Sequence, residues 1–360
     1  MKIALISPPY IPVPPPMYGG IELVIYDIIE GLSKQGIDVI LFGPKSSSVP
    51  CRLIPYLDST DYYFGIDSPV GEKKIAAELS SKYAYTMAAF ENVDLVHDHT
   101  LSVAPVNIPT VHTLHGPATD RAVAKCLKFS KNQFNSFIFI SQRQKELYER
   151  LNKEQYKSAA TINTAGVVHN SIDVKNIKWT KEKEDFFFFI GRVNWEKGVD
   201  LAVKVASKAH IGLVMAIKMS EDFEQELFKN QIRPQIDNYP KDLHFELFEE
   251  ITPELKFDLY RRARCTLFTS QWEEPFGLVM IESMACGTPV IALRRGAAPE
   301  IIIDGKTGFL VDSEEEMIQA AHKVDQLDPE DCRKHIEDNF SREKMAKEYI
   351  SLYEKILSNY

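Results

Sequence analysis

Short apolar runs alternate with longer amphipathic ones along nearly the whole chain, and this alternation predicts strands separated by helices. In the first half the strand-like runs are Ile3–Ser7, Val39–Phe42, Leu95–His99, Thr110–Leu114, Phe137–Ile140 and Gly166–His169. The clearest helix is Ile21–Gln35, with apolar residues at 21, 24, 25, 28, 29 and 32 and Gly36 placed to end it. The second half repeats the pattern with Phe186–Ile190, Gly212–Ile217, His244–Phe248, Thr266–Thr269, Pro289–Leu293 and Phe309–Val311. Phe186–Phe189 reads as a strand buried on both faces. The polar stretch Lys175–Asp185 reads as a linker, and Arg342–Leu357 as a terminal helix.

Strands alternating with helices predict an α/β fold of two Rossmann-like domains with parallel sheets, residues 1–174 and 186–340, joined by 175–185, with 341–360 returning to the first. Ligands of open parallel sheets bind beyond the carboxyl ends of the strands, so the expected site is a cleft the two sheets face across. A length of 360 residues suits two domains, and 44% hydrophobic with 26% charged residues suits globular ones. The net charge of -9 argues against broad nucleic-acid binding. Of Cys51, Cys126, Cys265, Cys286 and Cys332, none forms a C-x-x-C pair, and Cys126, Cys265 and Cys286 sit in apolar surroundings. That usage fits a reducing compartment. No run reaches the roughly 18 apolar residues of a membrane span, and the N-terminus does not read as a signal peptide. The expectation is a cytoplasmic protein.

Chemistry should lie just after the strands. Gly19 and Gly20 follow the proline-rich loop after the first strand, where the first long helix begins. There they either open backbone N–H groups to a ligand or merely turn the chain. Phe186–Ile190 runs into Gly191-Arg192-Val193-Asn194-Trp195-Glu196-Lys197-Gly198, and two cations at a strand end beside a helix start suit a diphosphate. The densest signal is Glu274-Pro275-Phe276-Gly277-Leu278 leading through Glu282 to Cys286. The stretch 278–286 is apolar nearly all round, so Glu282 is a buried carboxylate that a ligand or an internal cation such as Arg262 must satisfy. If the intervening stretch is helical, Glu274 and Glu282 lie ~12 Å apart along the axis, suited to gripping the two ends of one long ligand.

Gly191-Arg192 with Lys197-Gly198, the Glu274-x7-Glu282 motif, and Gly19-Gly20 after the first strand together resemble family 4 glycosyltransferases, from the first strand to the terminal helix. The resemblance implies the GT-B fold and retaining transfer of a hexose from a UDP- or GDP-sugar to a small-molecule, lipid or saccharide acceptor, with neither metal nor cofactor. It implies that Arg192 and Lys197 hold the diphosphate, Glu282 the ribose, and Glu274 with the backbone of Phe276, Gly277 and Leu278 the sugar. Gly19 and Gly20 would lie near the diphosphate and acceptor. His115 matches the family's active-site histidine, which contacts the transferred sugar. The chain departs from the family at Glu249-Glu250 and at Gly296, where glycine and a glycine pair are common.

Other signals carry less. His97 and His99, with His112 and His115, could hold a metal or simply end a strand. Arg121, Lys125 and Lys128 share a helical face that could touch an anionic membrane or acceptor, or be solvated. The competing functions are a sugar-nucleotide epimerase or phosphorylase on the same fold, and a non-catalytic nucleotide-sugar-binding protein.

Overall fold

The computed structural model describes residues 1–17, 19–56, 70–102, 107–156 and 161–360. The chain forms two compact units, Met1–Ile172 with Arg342–Tyr360, and Asp173–Ser341.

In the first unit, parallel strands β1 (Lys2–Ile6), β2 (Asp38–Gly43), β3 (Arg52–Pro55), β4 (Leu95–Asp98), β5 (Thr110–Leu114), β6 (Asn135–Phe139) and β7 (Thr164–Val167) make one sheet. Among the described residues its order is β3-β2-β1-β4-β5-β6-β7. Helices α1 (Gly20–Lys34), α2 (Val70–Phe90), α3 (Asp120–Phe129) and α4 (Gln142–Tyr156) connect the strands. The apolar run of α1 packs its stripe inward, with Val24, Ile25, Ile28, Ile29 and Leu32 all buried. Gln35 caps it, and Gly36 follows with φ +77°. Strand β3 is absent from the sequence reading, because its pattern is mostly outward-facing at the edge of the sheet.

The second unit carries β8 (Glu184–Arg192), β9 (Gly212–Lys218), β10 (Phe245–Glu249), β11 (Ala263–Phe268), β12 (Val290–Leu293) and β13 (Gly308–Val311), all parallel in the order β10-β9-β8-β11-β12-β13. Its helices include α5 (Val199–Lys208), α6 (Asp222–Leu227), α7 (Arg233–Asp237), α8 (Pro253–Arg262), α9 (Leu278–Ala285), α10 (Ala298–Ile301), α11 (Glu314–Ala321) and α12 (Pro329–Asn339). Phe186–Phe189 form the buried centre of β8. The expected linker Lys175–Asp185 is corrected: the boundary falls at 172/173, and Glu184 and Asp185 already belong to β8. Lys183 anchors this stretch, donating to the carbonyls of Arg261 and Cys286 and to Thr288 Oγ1.

The last helix, α13 (Arg342–Leu357), belongs to the first unit. Arg342 Nε donates to Asp27 of α1 at 3.0 Å with both groups buried. Gly31 lets the two helices meet, since a Cβ there would lie 2.8 Å from that of Ala346. Cys332 is buried like Cys126, Cys265 and Cys286, and all five thiols are free.

Candidate active site

Each sheet reverses its strand order once, between β1 and β4 in the first unit and between β8 and β11 in the second. Such switch points are where open parallel sheets hold ligands. In the second unit the end of β8 delivers Arg192 and a tight turn, Trp195–Lys197, capped by Asn194 through the Lys197 N–H. The turn docks on the end of β11. Thr269 Oγ1 donates to the carbonyls of Lys197 and Gly198, and the Gln271 N–H to that of Glu196. Gly198 has φ +63°, and a Cβ there would sit 2.3 Å from the Thr269 carbonyl oxygen, so only glycine closes this turn.

That docking brings Lys197 and Glu274 together. Glu274 Oε2 accepts three hydrogen bonds, from Lys197 Nζ at 2.6 Å, from Trp272 Nε1 at 2.8 Å and from Ser270 Oγ at 3.1 Å. The Glu274 backbone is pinned as well. The Ala297 N–H donates to its carbonyl, and a Cβ on Gly296 would lie 2.4 Å from both its N and its O. One glycine at 296 is therefore required here by close approach as well as by its φ of +55°.

Arg192 is held by a residue the sequence reading missed. Glu224, fully buried in α6, accepts from Arg192 Nε at 3.0 Å and Nη2 at 2.8 Å on one carboxylate oxygen. The other oxygen accepts the backbone N–H groups of Ser220 and Glu221, closing a capping box with Glu221. The Glu-x-x-Glu spacing just after β9 was the available signal.

Only the second half of the Glu274–Glu282 stretch is helical, because α9 begins at Leu278, so the axial estimate of their separation does not apply. Gly277 is the N-cap of α9, with φ +96°, and a Cβ there would crowd Met280 and Phe268. Phe276 is buried against Phe340. Glu282 is buried and internally satisfied, though not by Arg262, which pairs with Glu184 and Asp258. Lys256 Nζ donates to Glu282 Oε1 at 2.7 Å and the Tyr260 hydroxyl to Oε2 at 3.1 Å.

In the first unit Gly19 is the N-cap of α1 and Gly20 its first residue. Gly19 is extended, and its constraint is steric, since a Cβ would lie 2.6 Å from that of Pro15 and 3.0 Å from Glu22 Oε2. Glu22 is buried, and burial pushes its carboxyl up to about 7.

The histidines gather at the ends of β4 and β5. His97 contacts Tyr353 OH through Nδ1 and Thr113 Oγ1 through Nε2, each at 2.7 Å. His99 Nδ1 meets His115 Nε2 at 2.9 Å. His112 lies between Asn135 Oδ1 at 3.2 Å and Asp98 Oδ2 at 3.3 Å. Burial drives His97 down to about 3 and His115 to about 4. Among the described residues no three His, Cys, Asp or Glu side chains are grouped as a metal ion needs. Lys125 lies over the Phe129 ring of its own helix, with Arg121 and Lys128 exposed. No described helix is long and apolar enough to cross a membrane.

Two family profiles match the chain, Glycosyltransferase Family 4 over residues 18–175 and Glycosyl transferases group 1 over residues 171–344. The spore coat protein SA of Bacillus subtilis is 24% identical over 99% of this chain and 100% of its own. Among solved structures, the sucrose-phosphate synthase of Thermosynechococcus elongatus superposes with a TM-score of 0.77 at 20% identity, covering 100% of both chains. Anabaena HepE in complex with UDP-glucose superposes with a TM-score of 0.68 at 17% identity, again over 100% of both.

Proposed function

Because this chain belongs to the family 4 glycosyltransferases of the GT-B type, we propose that it moves a hexose from a nucleoside-diphosphate sugar to an acceptor hydroxyl with retention of configuration. The observation that carries the reading is the constellation at the switch point of the second unit, where the cations Arg192 and Lys197 lie with Glu274 at the ends of β8 and β11. HepE, a structural neighbour, holds UDP-glucose.

Arg192 and Lys197 bind the diphosphate and stabilise charge on it as it leaves. Glu274 and the backbone of Phe276, Gly277 and Leu278 hold the sugar, Glu282 the ribose. Gly19 and Gly20 line the diphosphate and acceptor side, and His115 contacts the sugar. The acceptor oxygen bonds to the anomeric carbon as the bond to the phosphate oxygen breaks on the same face. The acceptor's proton passes to that phosphate oxygen. Two fixed cations supply the charge a metal would, so activity should survive a chelator. The protein works in the cytoplasm, where nucleotide sugars are made.

The test is a thermal-shift panel of UDP-, GDP- and ADP-sugars on wild type, Lys197→Met and Glu282→Gln. One nucleotide sugar at a hundred times its Kd should add about 2.7 kcal/mol to wild type. Both variants should lose most of that shift. No shift with any nucleotide sugar would sink the reading.

A further inference from the structure

His99 Nδ1 and His115 Nε2, 2.9 Å apart, share one proton, and its owner decides what His115 presents at its other nitrogen. The two remaining ring nitrogens settle the ownership. His99 is 5% exposed, and its Nε2 is buried with no hydrogen-bond partner among the described residues. His115 is only half-buried, and its Nδ1 is not among the buried unpartnered atoms.

With its proton on Nε2, His99 would bury an N–H that has nothing to donate to. With its proton on Nδ1, the orphan is a bare lone pair, the less costly of the two. The shared proton then belongs to His99, and His115 must carry its own on Nδ1. A doubly protonated ring is opposed by burial, which takes His99 well below its ordinary range and His115 to about 4. The His97 ring packs against that of His99, tilted by 36° with ring centroids 4.1 Å apart. With both of its own nitrogens engaged, His97 fixes the His99 plane without competing for the bond.

We propose that His99 is the positioning residue of His115, donating from Nδ1 to His115 Nε2 and fixing His115 as the Nδ1–H tautomer, a hydrogen-bond donor to a hydroxyl of the bound sugar. The sugar rests on the transferase reading above; the tautomer does not. In this state the lone pair of His115 is occupied by His99. His115 cannot take the acceptor's proton, which leaves the phosphate oxygen to receive it.

Long-range proton–nitrogen spectra of the full-length protein labelled with 15N-histidine report each ring's tautomer at neutral pH. The His115 signals are identified by their loss in His115→Asn. The expected wild-type spectrum shows His115 protonated on Nδ1. His99→Asn, whose amide nitrogen overlays imidazole Nδ1, should preserve that state. His99→Phe should return His115 to the Nε2–H form favoured in water. An Nε2–H His115 in wild type, or an unchanged Nδ1–H form in His99→Phe, overturns the proposal. Should His99→Phe fail to fold, the wild-type spectrum still decides. In turnover, His99→Phe should lose about 100-fold in kcat with donor Kd unchanged, and His99→Asn no more than about threefold. Equal losses in the two would make His99 merely structural and overturn its positioning role. The predicted tautomer in a protein that binds no nucleotide sugar would remove the transferase reading and leave the His99–His115 assignment standing.

Discussion

Glu224 shows how one buried carboxylate can serve structure and chemistry together. One oxygen closes the N-terminus of α6 and the other holds Arg192 by two N–H groups, so the helix cap fixes the guanidinium at the end of β8. Arg192 then meets a phosphate without first losing side-chain freedom, which is how preorganisation raises affinity. Glu224→Gln keeps the shape but aims an amide N–H at either the guanidinium or the cap. The expected loss is about 1–3 kcal/mol of stability and about tenfold in donor affinity by calorimetry. Arg192→Ala should cost far less donor affinity on the Glu224→Gln background than on wild type, because the two act as a unit. Simple additivity of the two losses would show that Glu224 does not act through Arg192.

At the scale of elements, α13 is fixed to α1 by charge and by fit. Arg342 enters the first unit beside Asp27 with both side chains nearly sealed from water, and Glu30 stands 3.5 Å from the same guanidinium. Removing one partner of a buried pair is costlier than removing both. Asp27→Ala should lower stability by about 3 kcal/mol in urea unfolding, and Asp27→Ala with Arg342→Met should recover part of it. No recovery would mean that packing at Gly31, not charge, holds the helix. The central strands and α13 were legible in the sequence because burial on both faces writes continuous apolar runs and a stripe writes period 3.6. Arg52–Pro55 was illegible because an edge strand buries little. The motif residues of the candidate site were legible as positions, but their partners were not. Lys256 and Tyr260 reach Glu282 from α8, and Glu224 reaches Arg192 from α6, contacts that no local spacing encodes. His99 was visible as a possible ligand, yet only the placement of β4 beside β5 turns it toward His115.

For the whole molecule, the buried titratable groups of the first unit should make its stability depend on pH. The first unit holds His97 at about 3, His115 at about 4 and His99 well below its ordinary value, each because burial disfavours the charged ring. The unfolded chain binds protons at these histidines from about pH 6.5 downward, and the folded unit does not. Their contribution is therefore complete above pH 6.5 and is lost as the pH falls toward the folded values. Glu22 works the other way: held at about 7 by burial, it keeps a proton that the unfolded chain releases above about 4.5, so its contribution fades as the pH rises. Between pH 6.5 and 4.5 three histidines oppose two carboxyls, Glu22 and Glu348, both raised by burial, and each group can contribute a slope of at most about 1.4 kcal/mol per pH unit. The first unit should lose stability on acidification through this window. Its thermal transition, identified as the one Asp27→Ala lowers, should move down over that range. His97→Gln should flatten the slope, and Glu22→Gln should steepen it. A first-unit transition that held steady or rose between pH 6.5 and 4.5 would show that these histidines are charged in the folded protein, against the neutral cluster that their burial requires.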